Sequence, residues 1–337
     1  MKTCRLAILG VTGAVGQEML SILSEKKWPS NNLRIFASAK SAGKKFPFRE
    51  TELVVEQLTP DSFNEIEVVL SALDNDVAQR FIPIAVEKGC LVIDNSSLYR
   101  LNQQVPLVIP EINPEDISSQ NGVIANPNCS TIIALMAIAP LHACYPIQSM
   151  IVSTYQAVSG AGIKGMEELT TQTHDLQMNK IPQPAIFPRQ IAYNLIPQIG
   201  SFDEEGNTSE ELKLQNESRK ILHHQDLQVI CTCVRVPVIR SHSESITLFF
   251  EQDLDVSQVK VILSHAKGVK VVDDPLNYEY PTPLDTSNQD LIYVGRIRKQ
   301  PIGNQTAISF WCCGDQLRKG AATNSIQILE SYLKDYA

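Results

Sequence analysis

The sequence predicts an α/β protein: a Rossmann-like, doubly wound N-terminal domain followed by an α+β domain. Three observations predict this. The first third alternates short apolar runs with helical patterns, the texture of βαβ units around a parallel sheet. A glycine-rich turn follows the first apolar run, and beyond Ile147 the texture changes to longer, alternating strands interleaved with helices. The length of 337 residues agrees, because about 150 residues per domain predicts two domains.

In chain order, the expected strands of the first domain are Arg5 to Leu9, Leu33 to Ala37, Val68 to Ala72, Leu91 to Asp94 and Val123 to Ala125, with helices over Val15 to Lys26 and Val77 to Lys88. In the second, alternation predicts strands over Gln148 to Ala157, Gln228 to Val236 and Ser245 to Glu251. Helices are expected near Lys164 to Asn179, Ser209 to His224 and Val256 to Ala266. The tail from Asp315 to Asp335 has apolar residues at Leu317, Ala321, Ile326, Leu329 and Leu333, which predicts one amphipathic helix. Strand order is not legible at this level.

Composition excludes several function classes. Lys and Arg total 29 against 37 Asp and Glu, a net charge of −8, whereas a nucleic-acid footprint needs clustered positive charge. The longest apolar run, Ile132 to Leu141, carries Pro140 and is too short to span a bilayer. Met1 to Arg5 leads into a strand without a signal-peptide pattern, so a cytoplasmic protein is expected. Eight cysteines in this length are too sparse for a disulfide scaffold. The pairs Cys231/Cys233 and Cys312/Cys313 lack zinc-type spacing, so reduced thiols and no metal are expected.

Gly10-Val-Thr12-Gly13-Ala14-Val15-Gly16 follows the first strand and precedes a helix, the setting in which backbone amides and the helix dipole receive a pyrophosphate. An ordinary tight βα turn would read the same. An NAD site usually places an acidic residue about 20 residues further on. Here Ser38, Lys40, Ser41 and Lys44 occupy that stretch, which favours the 2′-phosphate of NADP over a merely solvated basic loop. In Asn126-Pro-Asn128-Cys129-Ser-Thr131, Asn128 is a candidate N-cap, and Cys129 would open a helix. The dipole there would lower the thiol pKa from about 8.5, and unpaired first-turn N–H groups would receive an oxyanion. A buried structural cysteine is the bland alternative.

Taken together, GVTGAVG (10–16), SAKSAGKKF (38–46), DNSSLYR (94–100), NPNCST (126–131), YQAVSGAG (155–162), EELK (210–213), RVPVIRSHSE (235–244) and VGRIR (294–298) resemble the aspartate-β-semialdehyde dehydrogenase family over nearly the whole chain. The resemblance implies a homodimer. It also implies an NADP-binding domain of residues 1–128 completed by residues 315–337, and a glyceraldehyde-phosphate-dehydrogenase-like catalytic and dimerisation domain of residues 129–314. It assigns Cys129 as nucleophile, Gln156 as orienting group and His242 as acid/base. Arg235 would take the substrate carboxylate, Glu210 its ammonium, and Arg100, Asn128 and Lys213 the phosphate. Gly10, Thr12, Gly13, Ala14, Val15, Gly16, Ser38, Lys40 and Ser41 would hold the dinucleotide, with Ser159 and Gly160 beside the nicotinamide and Asn324 closing the site. Lys40 stands where many relatives carry Arg.

The implied reaction is NADPH-dependent reductive dephosphorylation of L-4-aspartyl phosphate to L-aspartate 4-semialdehyde, a step of lysine, diaminopimelate, methionine, threonine and isoleucine biosynthesis. Aspartyl phosphate, phosphate and aspartate semialdehyde are then the small-molecule partners. Two alternatives stand beside it: an N-acetyl-γ-glutamyl-phosphate reductase, and a non-catalytic dinucleotide-binding sensor. Glu210 and Lys213, three apart on a helix, would also suit a plain surface pair, worth about 0.2–0.5 kcal/mol.

Overall fold

The computed structural model of the chain describes residues 3–302 and 305–335. It separates into two compact units, residues 1–128 with 321–337, and residues 129–320.

The first unit contains β1 (Leu6–Leu9), α1 (Ala14–Glu25), β2 (Leu33–Ala37), β3 (Lys45–Phe48), β4 (Thr51–Gln57), β5 (Val68–Ser71), α2 (Asn75–Glu87), β6 (Leu91–Asp94), β7 (Val123–Ala125) and the C-terminal helix Thr323–Asp335. Its seven strands lie in the order β3-β4-β2-β1-β5-β6-β7, and all neighbours pair in parallel except β3 with β4. Every residue of β1, β5 and β6 is buried, as expected of parallel strands covered on both faces. On one face, Met19, Ile22 and Leu23 of α1 and Ile326, Leu329 and Leu333 of the C-terminal helix share a core with Leu6, Ile8 and Ile35. The strand order reverses between β1 and β5, so the glycine turn after β1 lies at the switch point, where open α/β sheets bind ligands.

The second unit contains α3 (Cys129–Cys144), β8 (Ile147–Gln156), α4 (Gly162–Gln177), α5 (Ser209–Ile221), β9 (Gln228–Arg235), β10 (His242–Phe250), α6 (Val256–His265), β11 (Val269–Val271), α7 (Pro283–Thr286), β12 (Ile292–Ile302) and β13 (Gln305–Gly314). Six strands form a mixed sheet, β11-β12-β13-β10-β8-β9, with β8/β9 and β11/β12 parallel. α3 is apolar all round and buries Ile132 through Ala139 and Leu141. It packs on β8, β10, β12 and β13 and against α5 and α6, which fixes its first residue relative to the sheet. The other face of the sheet exposes Ile151, Tyr155 and Ile230, with Tyr155 against Trp311 at 5.3 Å between ring centroids.

The expected strands and helices are present with ends shifted by a few residues. The β3/β4 hairpin and strands β11 to β13 are additional. The tail differs from its expected form: a π-type turn at Arg318–Ala322 precedes the helix, which begins at Thr323, and the tail joins the first unit from Ala321 rather than Asp315. The cause is local. Asp315 accepts the N–H groups of Leu317 and Arg318 at 2.9 and 3.1 Å. Gly320 then runs so close to Cys129 that a Cβ would lie 3.1 Å from the cysteine's own. No described helix is long and apolar enough to cross a membrane.

Candidate active site

Cys129 is the first residue of α3, and its Sγ lies 3.4 Å from Nε2 of His242, the first residue of β10. Nδ1 of that imidazole accepts the backbone N–H of Ala157 at 3.0 Å. A neutral ring therefore carries its proton on Nε2, aimed at the sulfur. His242 is wholly buried, and burial together with the nearby Arg235 charge lowers its pKa from 6.5 to about 3. The neutral form is thus the resting form. Gln156, last on β8, is held at both ends of its amide: Oε1 accepts the Thr154 hydroxyl at 2.9 Å and Nε2 donates to Glu210 at 3.1 Å. The same Nε2 is 3.4 Å from His242 Nε2.

Glu210 enters this group because α5 starts where it does. Thr208 caps the helix, exchanging hydrogen bonds with Glu211 (2.6 and 3.4 Å), and this turns Glu210 inward. Its carboxylate also meets Ser130 Oγ at 3.4 Å and pairs with Lys213 at 3.1 Å. The ion pair forms, but Glu210 is only 5% exposed, so it is not a plain surface pair. Arg235, at the end of β9, is buried and donates from Nη1 to Ala157 O at 2.6 Å. Burial disfavours its charge, while Glu210 and Cys129 favour it. A Cβ on Gly160 would come within 2.7 Å of Arg235 Nη1 and 3.3 Å of His242 Cε1, so a larger residue there would push the guanidinium aside. Ser159 is buried beside it and hydrogen-bonded to the Gln316 side chain. Beside Arg235, Ala161, Phe187, Pro188 and Gly200 line a cavity of about 470 Å³.

The second unit therefore brings together Cys129, Gln156, Gly160, Glu210, Lys213, Arg235 and His242. Thr154 and Gln316, which hold Gln156 and Ser159, were missed. Neither has a signal along the chain, because each acts through a partner distant or on the same strand face. Burial pushes the thiols of Cys4 and Cys313 up to about 12 and that of Cys90 to about 11.

The dinucleotide loop, Arg100, Asn128 and Asn324 belong to the first unit. Gly10 has φ +79, and a Cβ there would strike Ala72 O; a Cβ on Gly16 would strike Gly10 O. Gly13 caps α1 without a side-chain bond, so the N–H groups of Ala14 and Val15 have no side-chain acceptor. Gly10, Thr12, Gly13 and Ser38 line a cavity of about 580 Å³ that extends past Thr59 to Val77, Arg80 and Phe81. A backbone cradle that no side chain fills, continuous with such a cavity, fits a dinucleotide. Lys40 and Ser41 follow Ser38 in a short 3₁₀ turn at its rim, and Lys40 is exposed. Arg100 is buried and donates to Asn95 O at 2.7 Å. Asn128 is buried at the end of its unit. The Asn324 amide donates to Asn126 Oδ1 at 2.7 Å and Val108 O at 2.9 Å, tying the C-terminal helix to the end of β7.

Comparison with known proteins places these features among relatives. Residues 5–120 match the family model for the semialdehyde dehydrogenase NAD binding domain, and residues 138–319 that for its dimerisation domain. An aspartate-semialdehyde dehydrogenase of Campylobacter jejuni is 45% identical over 99% of this chain and 98% of its own. The structure of aspartate semialdehyde dehydrogenase II from Vibrio cholerae, complexed with ASA, covers all of both chains at 37% identity and a TM-score of 0.96. An aspartate semialdehyde dehydrogenase with NADP from Candida albicans covers 98% of each chain at 27% identity and a TM-score of 0.76.

Proposed function

The chain belongs to the aspartate-semialdehyde dehydrogenase family, and from that premise we propose that it reduces L-4-aspartyl phosphate to L-aspartate 4-semialdehyde, with NADPH as reductant and phosphate as leaving group. The observation that carries the reading is the 3.4 Å approach of Cys129 Sγ to His242 Nε2, with Gln156, Glu210 and Arg235 converging on the same point.

Cys129 attacks the acyl carbon as thiolate. A C–S bond forms, the C–O bond to phosphate breaks, and phosphate leaves with the electron pair. When bound, NADPH would supply the hydride that reduces the resulting thioester. The thiohemiacetal oxyanion lies among the first-turn N–H groups of α3 and the proton on His242 Nε2. As the C–S bond breaks, the thiolate is restored and the aldehyde departs. His242 donates a hydrogen bond from Nε2 to these oxygens, and Gln156 orients the intermediate. Arg235 grips the α-carboxylate with two parallel bonds, and Glu210 receives the ammonium. Arg100, Asn128 and Lys213 would receive the phosphate, Ser159 and Gly160 would lie by the nicotinamide, and Asn324 would close the site. Gly10 to Gly16 with Ser38, Lys40 and Ser41 hold the dinucleotide; the Candida albicans relative bound to NADP supports that choice. The matching dimerisation domain and the apolar strip Ile151, Tyr155 and Ile230 support a homodimer.

The test is the reverse reaction. Aspartate semialdehyde should reduce NADP only when phosphate is present, and faster than it reduces NAD. N-acetyl-glutamate semialdehyde should be a poor substrate, because its acetamide would leave buried Glu210 without a cation. Preference for the acetylated aldehyde would overturn the assignment.

A further inference from the structure

Glu244 is wholly buried on β10, and neither of its carboxyl oxygens has a hydrogen-bond partner. Such a group is costly unless something uses it. It stands two residues after His242, on the same face of the sheet, the face that carries the reactive groups. Across the ladder it is in register with Thr154 on β8 and Cys312 on β13, and Thr154 is in register with Cys233 on β9. Directly opposed residues of an antiparallel pair hold their Cβ atoms about 4.5–5.5 Å apart. Thr154 gives its one hydroxyl proton to Gln156 Oε1 and keeps its lone pairs.

The charges around Glu244 say which form it takes. Glu210 of α5 and Cys233 of β9 both oppose its ionisation, as does burial, so its pKa stands well above 4.5. Cys312 and Cys313 of β13 and Cys231 of β9 also feel it, and all three are thiols held protonated by burial and their neighbours. Glu244 is a neutral acid, with a proton to donate and a hydroxyl across the ladder able to receive it.

We propose that Glu244 is a positioning residue that locks Thr154, and through it the Gln156 amide, when substrate is bound. The inference rests on the role given above to Gln156. In the free protein Gln156 Nε2 donates to Glu210. A substrate ammonium claims that carboxylate, and Gln156 then keeps its place through Thr154 and the His242 ring. A proton from Glu244 to Thr154 Oγ1 fixes that hydroxyl and completes the row Glu244–Thr154–Gln156. Hydrogen bonds of this kind often align only in the substrate complex.

The test compares Glu244→Gln, which keeps shape and a donor, with Glu244→Leu, which keeps volume alone, and adds Thr154→Val singly and with Glu244→Leu. Glu244→Leu and Thr154→Val should each lower kcat about tenfold while the KM for aspartate semialdehyde moves less than about twofold. The double variant should fall no further than either alone, and Glu244→Gln should restore kcat. An infrared difference spectrum at pH 7 should show a protonated-carboxyl stretch in the parent that Glu244→Gln lacks. Wild-type kcat in Glu244→Leu, full additivity in the double variant, or absence of that band overturns the proposal. If the parent itself fails to turn over aspartate semialdehyde, the functional reading falls. The infrared band then decides Glu244 separately: its absence from the parent overturns the proposal.

Discussion

The backbone N–H of Ala157 donates to Nδ1 of His242 at 3.0 Å, and this one bond turns the protonated face of the imidazole toward the sulfur of Cys129. The ring has no room for a second proton while that bond holds, because its Nδ1 lone pair is already engaged. His242 is therefore placed as a donor toward the sulfur, and not as an imidazolium.

A pH dependence of stability follows, with a definite sign. The folded ring stays neutral down to about 3, whereas in the unfolded chain it takes up a proton near 6.5. Its contribution is therefore complete above pH 6.5 and is lost as pH falls from there toward 3. His242→Asn should lose less melting temperature than the parent between pH 7 and pH 4. Parallel Tm curves for the two proteins would remove this account of the ring.

Cys129→Ser should lower turnover in either direction by about 10⁴-fold or more, since the hydroxyl is a far poorer nucleophile in this setting. NADPH binding, followed by cofactor fluorescence, should stay within about twofold of the parent. Residual turnover near that of the parent would exclude the thioester route.

Arg235→Lys keeps the charge but not the planar fork, and it loses the bond to Ala157 O. The expected cost is about 10–100-fold in kcat/KM for aspartate semialdehyde, the worth of a charge-assisted pair of bonds, with little change in Tm. Unchanged kcat/KM would place the substrate carboxylate elsewhere.

Gly160→Ala probes the same corner without replacing a charged residue. Its φ is not left-handed, so the substitution adds no backbone strain; the new methyl meets Arg235 Nη1 and His242 Cε1 instead. Catalytic efficiency should fall about tenfold or more. Gly43→Ala is the complementary control: its φ of +83 brings strain, but nothing lies within 4 Å, so it should cost stability and spare kcat. Equal activity losses in the two variants would mean that strain, not contact, governs both.

Much of this was legible along the chain wherever a local signal carried it. The helix opening at Cys129 shows in the step from Asn-Pro-Asn to an apolar run, and the glycine turn shows in its spacing after β1. Strand order was not legible, because β1 pairs with β2 and β5 through contacts between distant segments. The β3/β4 hairpin was missed because its residues are half exposed and mixed in polarity. The tail was read as one helix because Leu317 and Ala321 keep the helical period, although Asp315 and Gly320 impose a wider turn. Thr154, Gln316 and Glu244 matter only through what they touch, and single-residue spacing does not record that.

From Ser130 to Ala139 every residue of α3 is buried, so that stretch has no wet flank on which to roll or slide. Cys129 at its tip inherits its coordinates from the surrounding hydrocarbon and comes into place only when that mass has closed. During refolding from denaturant, the moment at which Cys129 acquires its own labelling rate should therefore coincide with burial of the second unit's interior, making one thiol a clock for half the chain.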